Sequence, residues 1–282
     1  MSPTVSSLPS SVPADHPEIE WRQTRHGPMF YFTHDAYIGA SLREYGEFSE
    51  LEFDMLRQLL HPGDVVVEVG ANIGALTVPI ARCVGPGGKV VAIEAQRRVF
   101  QVLCANVVMG GLPNVHTILA AGTCQAGYLH VPDVDYGAPN NFGGIALARA
   151  AGPGELVAPV AIDDLDLPAC KLIKVDVEGM ELDVLRSAAA TIGRHRPILY
   201  VENDRRHDSP MLIDYIHAQG YRLWWHTPAL YNPANHAANP VNRFEHIVSL
   251  NMLCVPAEFN FRFDGGREIT SPQDYPDVGG TG

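Results

Sequence analysis

The sequence predicts an α/β fold, a doubly wound and mostly parallel sheet with helices on both faces. From Asp64 onward, short apolar runs alternate with segments of helical periodicity. The turn after the first run is built of small residues, as such sheets require where a strand passes into a helix. Of the 282 residues 46% are apolar and 18% charged, which is enough to bury the core of one large domain or two small ones.

Residues 1–17 are rich in Ser and Pro and are expected to form a disordered tail. A cap segment and helix follow over 18–63. Within them Leu51, Phe53, Met55, Leu56, Leu59 and Leu60 have near-helical spacing over 49–60, and His61-Pro62-Gly63-Asp64 stops the helix. The main domain is expected over 64–260, with strands at 65–69, 89–94, 115–119, 171–177, 198–202, 221–226 and 247–255. The helices expected between them cover 75–84, 97–109, 180–192 and 210–219, the last closed by Gly220. Pro79 implies a kink or a late start in the first of these, because proline lacks the backbone donor and clashes one turn back. The Gly-, Pro- and Asp-rich end, 261–282, reads as a mobile tail.

Composition narrows the function. The formal net charge of −12 opposes binding to phosphate backbones and anionic membranes, and only Lys89, Lys171 and Lys174 are lysines. Five scattered cysteines show no C-x-x-C spacing, so neither a disulfide framework nor a structural zinc site is expected, and a reducing, cytoplasmic compartment fits best. No long uncharged apolar run points to a membrane span. The oligomeric state stays open.

Glu68-Val69-Gly70-Ala71-Asn72-Ile73-Gly74 lies at the first strand-to-helix turn. Glycines there allow unusual backbone angles and close approach, and free N–H groups at the helix start attract an anion. The step-of-two spacing of Gly70, Asn72 and Gly74, with an acid two residues before, differs from the dinucleotide pattern G-x-G-x-x-G and reads as an S-adenosylmethionine variant; a tight turn without ligand is the alternative. Glu94 closes the second strand, followed by Ala95 and Gln96, where an acid can accept hydrogen bonds from both ribose hydroxyls. Ala121, in a small-residue run after the third strand, offers a surface for adenine.

Lys174, Asp176 and Glu178 alternate with apolar residues and share one face of an extended segment, which aims Asp176 at the crevice. Glu181 suits the start of the next helix. The fifth strand ends in Glu202-Asn203-Asp204, and Glu202 either acts in catalysis or pairs with Lys174. Asp176, Glu202 and Asn203 would also form an oxygen-rich nook for Mg²⁺, a reading not favoured here. Asp176, Glu178, Glu202 and His226 are the candidate bases, Asp176 first among them. The long loop 227–245, with Tyr231, Asn232, Asn235, His236, Asn239 and Asn242, suits a hydroxyl-bearing partner.

EVGANIG at 68–74, the strand ending in Glu94, LIKVDVEGMELDVL at 172–185 and PILYVEND at 197–204 resemble the FkbM family of methyltransferases, the similarity running over 37–256. The resemblance implies a class I Rossmann-like methyltransferase with a seven-stranded sheet and an antiparallel last strand. It implies S-adenosylmethionine as donor and O-methylation of a sugar or secondary metabolite, a small hydroxyl-bearing acceptor. By the same resemblance Glu68, Gly70, Ala71, Asn72 and Gly74 bind the methionine part, Glu94 with Ala95 and Gln96 the ribose, and Asp176 lines the transfer crevice. Tyr45-Gly46-Glu47-Phe48-Ser49 looks like the family's lead-in segment, placing Glu47 and Ser49 over the cofactor. Glu68 stands where an aspartate is common, keeping the charge and moving it by one methylene. Two other readings stay open: a non-catalytic nucleotide- or sugar-binding module of the same fold, and an NAD(P)-dependent oxidoreductase, which the missing Tyr-x-x-x-Lys pair and the glycine spacing disfavour.

Overall fold

The computed structural model describes residues 18–147 and 153–277; the tail expected at 1–17 lies outside them. The chain begins with a hairpin, β1 (Ile19–Thr24) and β2 (Gly27–Phe32), then α1 (Ile38–Tyr45) and α2 (Glu50–Leu59). The main domain continues through β3 (Val65–Val69), α3 (Thr77–Val84), β4 (Lys89–Glu94), α4 (Arg97–Met109), β5 (Val115–Leu119) and β6 (Ala121–Gly122). A second hairpin of β7 (Leu129–Pro132) and β8 (Gly154–Val157) precedes β9 (Pro159–Val160), a 3₁₀ turn (Ile162–Leu165) and β10 (Leu172–Val175). Then come α5 (Glu181–Arg186), α6 (Ala189–His195), β11 (Ile198–Glu202), α7 (Ser209–Ala218), β12 (Tyr221–His226), β13 (Asn251–Pro256) and β14 (Glu268–Ile269).

One sheet has the order β14-β12-β13-β11-β10-β3-β4-β5. The pairs β11–β10, β10–β3, β3–β4 and β4–β5 are parallel, whereas β13 runs antiparallel between β11 and β12. Seven of these eight are the expected strands, and β13, the last of the seven, is antiparallel as expected. Alternate residues of each central strand enter opposite cores. Val66, Val90 and Ala92 pack with Leu56, Ile80 and Leu103 of α2, α3 and α4, and Val67, Val91 and Ile93 pack with Val184, Ile192 and Ile213 of α5, α6 and α7. Burial on both faces explains why these strands read as continuous apolar runs. The order reverses between β3 and β10, which opens a crevice beyond their C-terminal ends.

Pro79 is the third residue of α3, so the helix starts late and the proline has no preceding turn to clash with. The helix expected over 180–192 is two helices. Ser187 donates from its hydroxyl to the Val184 carbonyl (2.7 Å) and accepts from Ile162 N (3.3 Å), drawing the chain off the helical path before α6. The strand expected to reach 177 stops at Val175, and the one expected from 247 starts at Asn251. No helix among the described residues is long and apolar enough to cross a membrane.

The mobile tail expected from 261 needs correction as far as 277. Glu268 and Ile269 form an eighth strand on β12, and Ile269 is buried. Arg222 pairs with Glu268 (2.8 Å), and the Tyr275 ring stands edge-on to Trp225. Few apolar residues and many glycines hid this docking in the sequence. Ile269→Ala should therefore destabilise the fold by about 2–5 kcal/mol, the usual range for truncating a buried isoleucine. Urea unfolding would show it, and an unchanged midpoint would mean the segment does not dock.

Candidate active site

The turn after β3 holds three residues at positive φ: Gly70 at 84°, Asn72 at 49° and Gly74 at 85°. A Cβ on Gly70 would lie 1.7 Å from the Asp176 carbonyl oxygen, and one on Gly74 would lie 2.7 Å from Leu103 Cδ1. Both glycines thus serve contacts inside the protein, between the turn and the end of β10 and between the turn and α4. The turn's amides are engaged too. Gly70 N and Ala71 N donate to the Ile93 carbonyl (2.9 and 3.0 Å), Asn72 N to Glu94 Oε2 (2.9 Å), Ile73 N to Asn72 Oδ1 (2.8 Å) and Gly74 N to the Ala71 carbonyl (2.9 Å). The free N–H groups expected here to attract an anion are absent across 70–74.

Glu94 holds this turn to β4. Its Oε2 accepts from Asn72 N, and its Oε1 accepts from Gln96 N at 2.7 Å. Burial pushes its carboxyl up to about 7, against the pull of those backbone donors. Each oxygen keeps lone-pair capacity, since a carboxylate has about four acceptor sites. Glu68 is buried beneath the turn and takes the Thr77 hydroxyl proton at 2.6 Å; burial raises it also to about 7.

Lys174 is buried on β10. Its ammonium donates to Asp176 Oδ2 at 2.8 Å and stands 3.9 Å from Glu52 Oε1 on α2. Burial works against that charge, but Asp176, Glu52 and Glu68 outweigh it and hold Lys174 protonated. The expected Lys174–Glu202 pair does not form. Glu202 Oε2 has no hydrogen-bond partner, and burial together with Asp176, Asp204 and Glu178 raises its carboxyl far above the ordinary range. Glu178 pairs instead with Arg205. Glu181 accepts from Gly179 N at 3.0 Å just ahead of α5, as the helix-start reading expected.

Above these residues lies a cavity of about 360 Å³ at the reversal of strand order, large enough for a nucleoside-sized ligand. Among the candidates Glu68, Gly70, Ala71, Asn72, Glu94, Ala95, Gln96, Ala121, Asp176, Glu178 and Glu202 line it. Seven carboxylates and one lysine share its wall: Glu52, Glu68, Glu94, Asp176, Glu178, Glu202, Asp204 and Lys174.

Other candidates lie off that wall. Gly74 packs on Leu103. Glu47 accepts from Arg25 Nε, Asn232 Nδ2 and His236 N (2.7, 2.8 and 2.7 Å), which ties the N-terminal segment to the long loop. Ser49 donates to Glu52 Oε2 at 2.9 Å. His226 sits behind the sheet end, bonded to the Tyr200 hydroxyl at 2.8 Å, and burial lowers it to about 4. The Asn203 amide nitrogen donates to Ser209 Oγ at 2.9 Å, and Asn203 does not line the cavity that Asp176 and Glu202 share. The polar residues of 227–245 are largely spent on each other and on the cap: Asn235 Nδ2 donates to the Asn239 carbonyl at 2.7 Å and the Tyr231 hydroxyl to the same carbonyl at 3.1 Å.

Sequence reasoning missed the wall supplied by Asn141, Gly143, Gly144, Ile145 and Leu147, and that supplied by Tyr37, Phe48, Glu52 and 247–251. The run Asn140-Asn141-Phe142-Gly143-Gly144 was a usable signal, because a turn-forming stretch with one aromatic tends to be pinned by it. Phe142 is fully buried, and its carbonyl accepts from Gln96 Nε2 at 2.8 Å.

A mostly parallel sheet whose order reverses at a crevice faced by an acidic strand end is the architecture on which class I Rossmann-like methyltransferases, users of S-adenosylmethionine, are built. The family model described as the methyltransferase FkbM domain matches residues 68–223, more than half of the chain, and the protein belongs to that family. Comparison with curated protein sequences gave no match. Among solved structures, precorrin-6y C5,15-methyltransferase from Geobacter metallireducens is 13% identical with a TM-score of 0.47, covering 73% of this chain and 89% of that one. A methyltransferase FkbM from Methylobacillus flagellatus is 18% identical with a TM-score of 0.47; the match covers 72% of this chain and spans half of that one, 50%. An O-methyltransferase from Bacillus cereus, solved in complex with SAH, is 14% identical with a TM-score of 0.46 over 74% of this chain and 81% of that one.

Glu94 carries a pH prediction. Its folded value of about 7 lies above the ordinary 4.5, so the folded state binds more protons between those limits and Glu94 lowers stability as pH rises through that window. Glu94→Gln removes the titration. The stability of this variant relative to wild type should climb from pH 4.5 to 7 and level off above, as followed by thermal unfolding without ligand. A constant difference would contradict the assignment.

Proposed function

We propose that the protein O-methylates a hydroxyl of a small molecule, a sugar or secondary metabolite, with S-adenosylmethionine as donor. The observation that carries this reading is the acid-lined cavity whose wall Glu94 and Asp176 share with the turn of 70–72. The residues present fit the donor. Glu94 has spare acceptor capacity for two ribose hydroxyls, Ala95, Ala121 and Gly122 leave room beside it, and the acids suit a cationic ligand better than an anionic one. When bound, the donor supplies an electrophilic methyl group on a positively charged sulfur.

The chain's own part is to align the acceptor and take its proton. Alignment alone can account for much of the acceleration in such a displacement. Asp176 is the base of choice: it directly follows β10, its side chain is 43% exposed, and Lys174 fixes one of its oxygens in place. Glu178 is occupied by Arg205, and burial with the neighbouring acids raises the Glu202 carboxyl well above its ordinary range, which opposes the ionised form a base needs. No divalent cation is part of this proposal. The net charge and the single lysine on the wall speak against a nucleic-acid acceptor. Five free cysteines suit a reducing, cytoplasmic setting.

Asp176→Asn should lower turnover by about 10²-fold or more, the usual worth of a general base, while leaving affinity for S-adenosylhomocysteine nearly intact. Steady-state kinetics beside calorimetry separates the two, and full activity would remove Asp176 as base. In calorimetry Glu94→Ala should weaken S-adenosylhomocysteine binding, and unchanged affinity would exclude the ribose contact.

A further inference from the structure

The cavity has two ends. One is taken up by Glu94, Ala121 and the turn of 70–72; at the other the cap contributes Tyr37, Phe48 and Glu52, and the start of β13 contributes Asn251. Two buried carboxylate oxygens at this second end have no hydrogen-bond partner among the described residues, Oε1 of Glu52 and Oε2 of Glu202. Glu52 is only 3% exposed. Its Oε2 accepts from Ser49, but the Lys174 ammonium stands 3.9 Å from Oε1, too far for a hydrogen bond, and donates to Asp176 instead. Both orphans flank one residue: Asn251 is the register partner of Glu202 across β11–β13 and donates to Glu52 Oε2 at 3.5 Å. Buried acceptors are almost always satisfied in folded proteins, so two unsatisfied ones on a cavity wall point to donors that arrive with a ligand.

Of the cations nearby among the described residues, Lys174 donates to Asp176 and Arg205 pairs with Glu178 through one terminal nitrogen, its Nε being without a partner. We infer that this end of the cavity is an acceptor subsite for a polyhydroxylated molecule bearing a protonated amine, whose N–H groups reach Glu52 and Glu202 while its ring lies against Tyr37 and Phe48. The inference rests on the methyltransferase reading and narrows its acceptor. An ammonium near aromatic faces and carboxylates gains from both. A phosphate or uronate would meet a wall on which seven carboxylates stand against one lysine. Burial raises the Glu52 carboxyl against the pull of Lys174, and burial with Asp176, Asp204, Glu178 and Glu181 raises that of Glu202. An ammonium seated between them would favour their ionised forms and so release protons, whereas a neutral sugar would not.

The test uses the full chain saturated with S-adenosylhomocysteine, so that no sulfonium competes for the acids. Calorimetry at physiological salt compares neamine, an amine-rich pseudodisaccharide, with its fully N-acetylated form, in two buffers of different ionisation enthalpy. Neamine should bind at least about tenfold more tightly than the acetylated form, as expected for a charge-assisted contact, and should release protons. Glu52→Gln and Glu202→Gln should each weaken neamine by about tenfold while S-adenosylhomocysteine affinity is retained. Equal affinity for both forms, no neamine binding, or neamine binding indifferent to both substitutions would overturn the proposal, the last showing mere attraction to an acidic surface. If a variant fails to fold, the neamine pair and the proton release on wild type decide. Failure of S-adenosylhomocysteine itself to bind would be a different result, removing the methyltransferase reading and this subsite with it.

Discussion

A single buried ammonium organises the active end of the sheet. Lys174 lies in β10 with its Nζ bonded to Asp176 and near Glu52, so one charge links the central strand, the strand end that faces the cavity and the cap helix α2. Breaking a buried pair by removing one partner commonly costs about 3–5 kcal/mol, because the remaining charge is left uncompensated. Here the loss would also release Asp176 from its fixed position and leave Glu52 with no cation nearby. Stability and the proposed chemistry therefore depend on the same group.

The glycine turn shows a related economy. Its amides are satisfied within the protein, and its two outer glycines make room for Asp176 and Leu103. What remains for a ligand is the acceptor side of Glu94, which the turn positions through Asn72 N. A site made this way presents acceptors and negative charge, and so favours a donor that is itself hydroxylated and positive. That is the opposite of a phosphate-cradling loop, where free amides carry the recognition.

The central sheet was legible because its strands are buried on both faces and its helices have clear starts and stops. The succession of strands and helices was read from alternation alone, and α3 has the late start that was one of the two readings of Pro79. The residues that line the crevice were equally legible, since Glu68, Glu94 and Asp176 sit at strand ends where topology places ligands. What stayed hidden depends on contacts between distant segments. Nothing local distinguishes Glu52, one acid among several on an amphipathic helix, from its half-buried neighbour Asp54. Glu47 and Ser49 lie beside Phe48 in sequence, but only Phe48 turns to the cavity, because Glu47 is drawn away by Arg25, Asn232 and the amide of His236. His226 and Asn203 sit next to the right strands with their polar atoms spent on Tyr200 and Ser209.

The segment that returns to the sheet edge reaches farther than its short strand. Tyr275 donates its hydroxyl to the main-chain oxygen of Asp204, and Asp204 belongs to the cavity wall. The C-terminal stretch is thus a brace on the binding chamber. Fusions or trimming at this end belong with changes to the pocket itself, although they are made far from it in sequence.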